Sequence, residues 1–275
     1  MTILSYKNLF DLKGKIAIVT GAGGILGENF CSGLAEMGAS IALVDIQKEA
    51  IEKLSIEINE KYGVKACGIV CDVSDPISVK NMVKEVVNKF GDINILHNNA
   101  AAKSDDLKAY FSPLEDYSIE QWQKIMAVNL DGMFLVAQAV GKYMIDKGAG
   151  GSIIQTSSIY GVMAPDQRIY EGSFYLDGKI NTPAVYSVSK AGIVGLTKYL
   201  STYWANHGIR VNAIAPGGVE SGQNDEFKYK YSQRIPMNRM AKPYEMVGAL
   251  LYLASDASSY VTGQTIIIDG GLSAW

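Results

Sequence analysis

The sequence contains few of the residues from which disulfide frameworks and zinc sites are built. Its 275 residues include 3 cysteines and 2 histidines. The cysteines (Cys31, Cys67 and Cys71) are odd in number and lack the paired spacing of zinc ligands. We therefore expect no metal site, and we expect small buried thiols in a reducing compartment, the cytoplasm. His97 and His207 are expected to be structural or surface residues.

Long apolar runs and a strong net charge are also missing. No stretch reaches the roughly 18 apolar residues that span a membrane, and residues 1–10 lack the basic start and apolar run of a signal peptide. The formal net charge of -3 provides no basic field for nucleic acid or for a membrane surface. These absences favour a partner that is a small molecule rather than nucleic acid or membrane.

Short apolar runs alternate with helical segments along the whole chain. Continuous apolar runs bounded by turn residues are typical of buried parallel strands. Strands are predicted at residues 15–20, 41–44, 66–70, 93–96, 151–156, 209–214 and 265–268. Helices are predicted at residues 25–37, 48–62, 76–90, 119–146, 185–206, 225–232 and 243–253. This alternation predicts one α/β domain over residues 1–275, with a doubly wound, Rossmann-type parallel sheet of seven strands and helices on both faces.

A glycine-rich turn over residues 20–27 joins the first strand to the first helix. Glycines there allow backbone amides to approach a pyrophosphate, which the helix N-terminus stabilises. Asp45 ends the second strand, where a carboxylate accepts hydrogen bonds from a ribose diol and repels a 2′-phosphate. The pattern favours NAD over NADP, and the alternative is a purely structural turn followed by an ordinary strand-end aspartate.

Tyr186 and Lys190 lie four residues apart and therefore on one face of a predicted helix. A nearby ammonium favours the phenolate, so a tyrosine of this kind can act as a general acid or base. Because the chain has 16 tyrosines, such a pair also arises by chance on a solvated helix face. The pair alone does not decide between these interpretations.

Taken in order, the motifs resemble the classical short-chain dehydrogenase/reductase family from about residue 12 to residue 271. The markers are the turn at 20–27, Asp72, Asn98-Asn99-Ala100, Asn129, Ser157-Ser158, Tyr186 with Lys190, Pro216-Gly217, and the tail from Leu253 to Gly271. Each motif is weak by itself, whereas the ordered set is specific.

The resemblance implies four catalytic residues. Tyr186 would be the general acid in reduction and the base in oxidation, and Lys190 would lower the pKa of Tyr186 and hold the nicotinamide ribose. Ser158 would hydrogen-bond the substrate oxygen, with Ser157 as the second choice for this role. Asn129 would anchor a water that relays protons to Lys190.

The resemblance also implies a set of cofactor-binding residues along one edge of the sheet. They are Gly21, Gly24, Ile25, Leu26, Asp45, Asp72, Val73, Asn99, Ala100, Ala101, Tyr186, Lys190, Pro216, Gly217, Val219 and Ser221. Asp72-Val73 resembles a contact with the adenine edge, and the alternative is a turn that leads into the next helix. Three positions depart from the family pattern: Ile25 and Ala101 replace glycines, and Ser221 replaces a threonine.

An insertion over residues 165–183 separates Ser158 from Tyr186, which are 28 positions apart (186 − 158) instead of about a dozen. We expect it to form a wall of the substrate site or an oligomer contact, rather than a passive surface loop. Its polar side chains are Asp166, Gln167, Arg168, Tyr170, Glu171, Tyr175, Asp177 and Lys179. The segment 217–240 is expected to be a second, polar wall, with Gln223, Asn224, Glu226, Tyr229, Tyr231, Arg234 and Arg239.

Polar walls suit a sugar, a sugar acid or a polyol, and an arginine (Arg168, Arg234 or Arg239) could pair with a substrate anion. We therefore predict an NAD-dependent oxidoreductase that interconverts a secondary alcohol and a ketone. The alternatives are a hydroxysteroid or 3-oxoacyl substrate and, in another class, a nucleotide-binding relative without catalysis. Family members commonly assemble as dimers or tetramers, so we expect a homo-oligomer.

Overall fold

Seven parallel strands form the central sheet of the molecule. The computed structural model describes residues 6–104, 106–172, 174–175 and 178–275. Of the side chains predicted in the insertion, Asp177 lies outside the described residues, and so do the side chains of Tyr175 and Lys179.

The strands of this sheet follow the doubly wound order expected from the alternating pattern. The order is β3-β2-β1-β4-β5-β8-β9. The bounds are β1 Ile16–Thr20, β2 Ser40–Asp45, β3 Ala66–Val70, β4 Ile95–Asn98, β5 Gly151–Thr156, β8 Ile209–Pro216 and β9 Thr265–Ile268. The direction of winding reverses between β1 and β4, and ligands of such sheets bind beside the carboxyl ends of the strands at this point.

Helices cover both faces of the sheet. The bounds are α1 Ile25–Glu36, α2 Lys48–Tyr62, α3 Pro76–Phe90, α4 Leu107–Tyr110, α5 Ile119–Met126, α6 Met133–Lys147, α7 Ala184–Tyr203, α8 Asp225–Ser232 and α9 Val247–Ala254. One core joins β1 and β2 to α1, α2 and α9, and the other joins the opposite face to α3, α6 and α7. Both faces of each central strand are therefore buried, which explains their continuous apolar sequences.

The predicted helix over residues 119–146 is wrong as a single regular helix. Residues Ala127–Gly132 form a π-helical segment between α5 and α6. Segments of this type are frequent at functional sites, and this one contains Asn129. The fourth strand also begins two residues later than predicted, at Ile95. Just before it, the side-chain carbonyl of Asn94 accepts a hydrogen bond from Ile16 N at 2.8 Å.

The insertion carries structure of its own where a loop was expected. Residues Gln167–Tyr170 form a 3-10 helix, and β6 (Phe174–Tyr175) pairs in antiparallel fashion with β7 (Gly178–Lys179). The insertion packs on α8, where the ring of Tyr170 stacks on the ring of Phe227 with centroids 5.4 Å apart. The two segments predicted to be walls are thus in direct contact with each other.

Candidate active site

The glycines of the β1–α1 turn are required by close backbone packing. Gly21 has a φ of +65°, and a Cβ there would lie 2.9 Å from Ala100 Cα. A Cβ on Gly27 would lie 2.1 Å from Gly21 O. Because Gly24 is the N-cap of α1 and has no side chain, it cannot cap the first-turn amides. The turn therefore presents backbone N–H groups to an anion, and Ile25 and Leu26 form the first turn of α1 beside it.

Asp45 lies beside this turn, as its position at the end of β2 predicts. Its carboxylate accepts hydrogen bonds from Gly23 N at 3.0 Å and from Gln47 N at 3.0 Å. The side chain is partly exposed. Its remaining oxygen lone pairs are therefore accessible to a ribose diol.

Thr20 joins the β1 turn to the end of β4, a role that the sequence reasoning missed. Its buried hydroxyl accepts hydrogen bonds from Asn99 N at 2.8 Å and Ala100 N at 3.0 Å, and it donates to Asn98 Oδ1 at 3.2 Å. Asn99 Nδ2 donates to Thr20 O at 3.2 Å. A threonine that ends an apolar strand directly before glycines is the signal that could have indicated this link.

Asp72 and Val73 follow β3 at the same edge of the sheet. The exposed Asp72 carboxylate accepts hydrogen bonds from Ser74 N at 2.9 Å and from the Ser74 hydroxyl at 2.6 Å. Val73 is buried, and a Cβ on Gly132 would lie 2.9 Å from its Cγ2. Both residues therefore already serve the turn that leads into α3. Ala101, the next predicted contact after Asn99 and Ala100, is exposed.

Tyr186 lies at the N-terminal end of α7, beside the carboxyl end of β5. The Ser158 hydroxyl lies close enough to the Tyr186 phenol to lower the pKa of Tyr186. Desolvation opposes this effect and is the larger influence, so the pKa of Tyr186 is raised from its ordinary value. Tyr186 is thus a partly buried phenol with a serine hydroxyl beside it, an arrangement that suits proton exchange with a substrate oxygen.

Lys190 is buried on the same helix face, one turn after Tyr186. Its Nζ donates a hydrogen bond to Thr156 O at 2.9 Å and lies 5.9 Å from the centroid of the Tyr186 ring. Burial lowers the pKa of Lys190 to about 8. Desolvation of the phenol is the largest influence on the pKa of Tyr186 in this structure, and the lowering of that pKa by Lys190 stays a prediction.

Ser157 and Ser158 have different partners, which separates the two candidates for the serine role. The Ser157 hydroxyl donates to Lys190 O at 2.8 Å and so ties β5 to α7. The Ser158 hydroxyl accepts from Tyr160 N at 3.2 Å and meets the Tyr186 phenol. Only Ser158 directs its hydroxyl to the reacting side of the pair.

Asn129 is buried in the π-helical segment. Its Oδ1 accepts a hydrogen bond from Ala102 N at 2.8 Å, and its Nδ2 donates to Ala102 O at 3.3 Å. The carboxamide therefore fixes the chain that follows β4. The role of Asn129 as the anchor of a relay water stays a prediction.

The chain after β8 packs closely against neighbouring segments. Pro216 is buried, a Cβ on Gly217 would lie 2.8 Å from Asp269 Cα, and Val219 forms a bridge with Ala241. Gln223 and Asn224 make hydrogen bonds within this segment, and their place in a polar wall stays a prediction. The amide of Gln223 bonds to Val219 O and to Ser221, and the carbonyl of Asn224 caps α8.

The three arginines proposed for a substrate anion face carboxylates of the protein. Arg168 makes two hydrogen bonds of 2.8 Å to Asp166, and Arg239 bonds to Glu245 at 2.6 and 2.7 Å. Arg234 Nε lies 3.5 Å from Asp166 Oδ2. This pairing weakens the case for an anionic substrate and links the insertion to the segment that follows α8.

An aromatic cluster surrounds Tyr186, and the sequence reasoning did not detect it. Ile159, Tyr160, Ile169, Tyr231, Ile235, Met240 and Leu272 are buried in it, and Met163, Tyr170, Tyr186 and Phe227 pack against them. The phenolic oxygen of Tyr160 is buried and lacks a hydrogen bond of good geometry, although the phenols of Tyr170 and Tyr231 are close enough to interact with it. No sequence pattern indicated this cluster, because its residues come from segments that are distant in the sequence: 159–170, 186, 227–240 and 272.

A large cleft lies beside this cluster. It has a volume of about 1210 Å³ and lies between residues 107–117, the insertion and the first turns of α7. We call it the distal cleft. Its lining is Leu107, Lys108, Phe111, Ser112, Pro113, Leu114, Tyr117, Pro165, Gln167, Tyr170, Glu171, Gly172, Ile180, Asn181, Thr182, Pro183, Ala184, Ser187 and Val188.

Comparison with known proteins gives consistent results along the whole chain. The model of the family described as "Enoyl-(Acyl carrier protein) reductase" matches residues 21–273. The NADP-dependent mannitol dehydrogenase of Alternaria alternata is 36% identical over 274 residues, which cover 96% of this chain and 94% of that protein. The D-threitol dehydrogenase of Mycolicibacterium smegmatis is 36% identical over 271 residues, covering 95% of this chain and 94% of the relative.

Two further proteins are similar to this chain: a relative that is named for a different substrate, and a protein of known structure. The 3-oxoacyl-(acyl-carrier-protein) reductase FabG of Thermotoga maritima is 38% identical over 265 residues, covering 95% of this chain and 98% of that protein. The crystal structure of a short-chain type dehydrogenase/reductase from Mycobacterium marinum superposes with a TM-score of 0.86 at 35% identity. That match covers 99% of this chain and 100% of the other.

Proposed function

Because the chain belongs to the short-chain dehydrogenase/reductase family, we propose that its substrate is a sugar or a polyol and that NAD is its preferred cofactor. Members of this family interconvert alcohols and ketones with a nicotinamide cofactor. The family membership makes it an oxidoreductase that acts on CH–OH groups. The named relatives include a mannitol dehydrogenase and a threitol dehydrogenase, which supports the substrate class.

The residues at the sheet edge fit a dinucleotide. Gly21 and Gly27 lie where a Cβ would overlap backbone atoms at 2.9 and 2.1 Å, so the turn stays free of side chains next to the first-turn amides of α1. Asp45 would hold the adenosine ribose, Asp72 and Val73 the adenine edge, and Pro216, Gly217, Val219 and Ser221 the nicotinamide end. The nicotinamide cofactor, when bound, would accept the hydride as NAD and supply it as NADH.

We propose that Tyr186 transfers the proton and that Ser158 positions the reacting oxygen of the substrate. In oxidation, the Tyr186 phenolate takes the proton of the substrate hydroxyl, and in reduction the neutral phenol returns a proton to the carbonyl oxygen. Ser158 donates a hydrogen bond to the same oxygen as its negative charge develops. Lys190 lies beside the phenol and passes protons toward solvent, and Asn129 fixes the neighbouring backbone.

The observation that carries this proposal is the position of Tyr186 between two groups: the buried Lys190 ammonium lies 5.9 Å from the centre of its ring, and the Ser158 hydroxyl lies close enough to lower the pKa of its phenol. The test is the Tyr186→Phe variant, assayed with a panel of polyols and sugars by NADH absorbance. We expect turnover to be lost while NADH binding, measured by fluorescence titration, is retained. Full activity of this variant would refute the mechanism, and a wild-type enzyme that binds NADH without turnover on any alcohol or ketone would favour the noncatalytic alternative.

The preference for NAD rests on Asp45. Its carboxylate lies beside Gly23 N, and a 2′-phosphate at this position would face the negative charge. The Asp45→Ser variant should therefore gain activity with NADP relative to NAD, measured as the ratio of the two kcat/KM values. A wild-type enzyme that works only with NADP, as its mannitol dehydrogenase relative is named to do, would refute this part of the proposal.

An uncharged sugar or polyol is favoured over a sugar acid, since Arg168 and Arg239 already pair with Asp166 and Glu245. The second candidate is a 3-oxoacyl or hydroxysteroid substrate, which the apolar side chains around Tyr186 and the similarity to FabG support. A panel that pairs polyols with 3-oxoacyl thioesters and hydroxysteroids separates the two candidates by their kcat/KM values.

We also propose a cytoplasmic homo-oligomer, a tetramer or a dimer. The thiols of Cys31, Cys67 and Cys71 are free, which suits a reducing compartment. Among the described residues, no helix is long and apolar enough to cross a membrane. Exposed apolar side chains on α6 and α7, such as Phe134 and Tyr199, are the candidate contacts. Cell fractionation tests the location.

A further inference from the structure

The distal cleft lies apart from the reacting groups. Ser158, Tyr186 and Lys190 do not line the cleft. Among the described residues, Tyr170 is the one side chain that both lines the cleft and packs into the aromatic cluster around Tyr186. The insertion therefore supplies a residue that borders the reaction site on one side and the cleft on the other.

Tyr170 is held firmly in this position. Its hydroxyl hydrogen-bonds to the Thr182 hydroxyl at the end of the insertion, and its ring stacks on Phe227 with an angle of 27° between the planes. Thr182 is itself fixed by Gln167, which donates to Thr182 O at 3.0 Å. A side chain fastened at both its hydroxyl and its ring acts as a fixed wall rather than as a mobile surface group.

The cleft does not suit the compact polar substrates proposed above. Its volume of about 1210 Å³ exceeds the roughly 300–1,000 Å³ of ordinary small-molecule sites. Leu107, Phe111, Leu114, Ile180 and Val188 give it a largely apolar lining. Such a lining would bind an apolar or aromatic group attached to a substrate, provided that the group could pass Tyr170.

We propose that Tyr170 determines substrate size: its ring closes the reaction site toward the distal cleft and restricts turnover to compact, polyhydroxylated molecules. This inference rests on the proposed function in its choice of substrate class. The wall itself depends only on the contacts of Tyr170. Removal of the ring should join the two spaces and admit substrates that carry an apolar group.

The experiment compares Tyr170→Ala, Tyr170→Phe and Tyr260→Ala. Tyr260 lies after α9, outside both walls, and is fully exposed, so its removal is the matched control. Three substrates are assayed, each with NADH and with NADPH: a compact ketose, hydroxyacetone, and 1-phenyl-1,2-propanedione. For Tyr170→Ala we expect the kcat/KM ratio of the phenyl ketone to hydroxyacetone to rise by about 10- to 200-fold, the range for a change in pocket size. The ratio should stay unchanged in Tyr170→Phe, which keeps the ring, and in Tyr260→Ala.

An unchanged ratio in a folded, NADH-binding Tyr170→Ala enzyme would overturn the inference. A crystal structure of this variant provides a readout that needs no activity, because it shows whether the reaction site and the cleft have merged, and a persisting wall would also overturn the proposal. Activity on hydroxyacetone without activity on any sugar or polyol would refute the proposed substrate class and leave the size test intact. The two failures are therefore distinguishable.

Discussion

At the scale of single residues, the site depends on opposing influences on one phenol. Desolvation raises the pKa of Tyr186, while the nearby Ser158 hydroxyl lowers it. Lys190 is buried, and desolvation lowers its pKa to about 8. The sequence motif predicts this pair of residues, but the electrostatic state of the pair depends on solvent exclusion by segments that are distant in the sequence.

The opposing influences predict different pH profiles for the two directions of the reaction. Oxidation requires the phenolate, so its kcat should rise with pH across the alkaline range as Tyr186 loses its proton. Reduction requires the neutral phenol, so its kcat should be flat and then fall over the same range. In Ser158→Ala the loss of the hydroxyl that lowers the pKa of Tyr186 should move the midpoints of both pH profiles to higher pH. The profiles are measured from initial rates in each direction. Transitions that do not move in this variant would contradict the role of Ser158 in setting the pKa.

The two neighbouring serines should separate in kinetics and stability. Ser158→Ala removes a donor to the reacting oxygen and should lower kcat by roughly 10²–10³-fold. Ser157→Ala removes one buried hydrogen bond to Lys190 O, worth about 1 kcal/mol. For a chain of this size that loss lowers Tm by roughly 2–4 °C. Steady-state kinetics and thermal unfolding of both variants provide the measurement, and the reverse pattern would exchange the two roles.

At the scale of elements, the insertion and α8 support each other. Asp166 accepts hydrogen bonds from Arg168 in its own segment and pairs with Arg234 just after α8. The Lys230 ammonium of α8 bonds to the Glu171 carbonyl. The length of the insertion could be read from the spacing of Ser158 and Tyr186, but its contact with α8 could not, since 41 residues of helix and sheet (184–224) separate the two segments.

The Asp166→Ala variant tests this support. It removes the ion pair to Arg234 and should loosen α8, so we expect KM for the alcohol to rise while kcat changes less, because Tyr186 and Ser158 keep their positions. Arg168→Ala is the matched control, since Arg168 contacts the same carboxylate but is 82% exposed and lies on the insertion itself. Equal KM changes in the two variants would show that the link to α8 does not matter for substrate binding.

At the scale of the whole molecule, the parallel sheet brings the site together. The carboxyl ends of β1, β4, β5 and β8 meet at one edge, where the direction of winding reverses. Thr20, Asn99, Ser158 and Pro216 lie far apart in the sequence, and they become neighbours only because their strands are adjacent. The two exposed tyrosines of α7, Tyr199 and Tyr203, stack on each other at the surface.

Exposed apolar side chains on α6 and α7 predict assembly in solution. Tyr199 and Tyr203 are each 62% exposed and Phe134 is 43% exposed, and apolar surface of this kind on neighbouring helices marks contacts with another protein. Light scattering after size exclusion should give a mass that is a multiple of 29.7 kDa. Tyr199→Lys with Tyr203→Lys should lower that mass, and Tyr229→Lys on α8 should not. A monomeric wild-type chain would refute the proposed oligomer.

The sequence by itself determined the order of strands and helices, and its ordered motifs predicted the candidate reacting residues. The signals are local: strand and helix periodicity, a glycine-rich turn, and short motifs whose order along the chain resembles that of the family. The tertiary structure decided which serine faces the phenol, where the arginines find their partners, and which side chain of the insertion borders Tyr186. These depend on contacts between distant segments, whose geometry and burial no local pattern encodes.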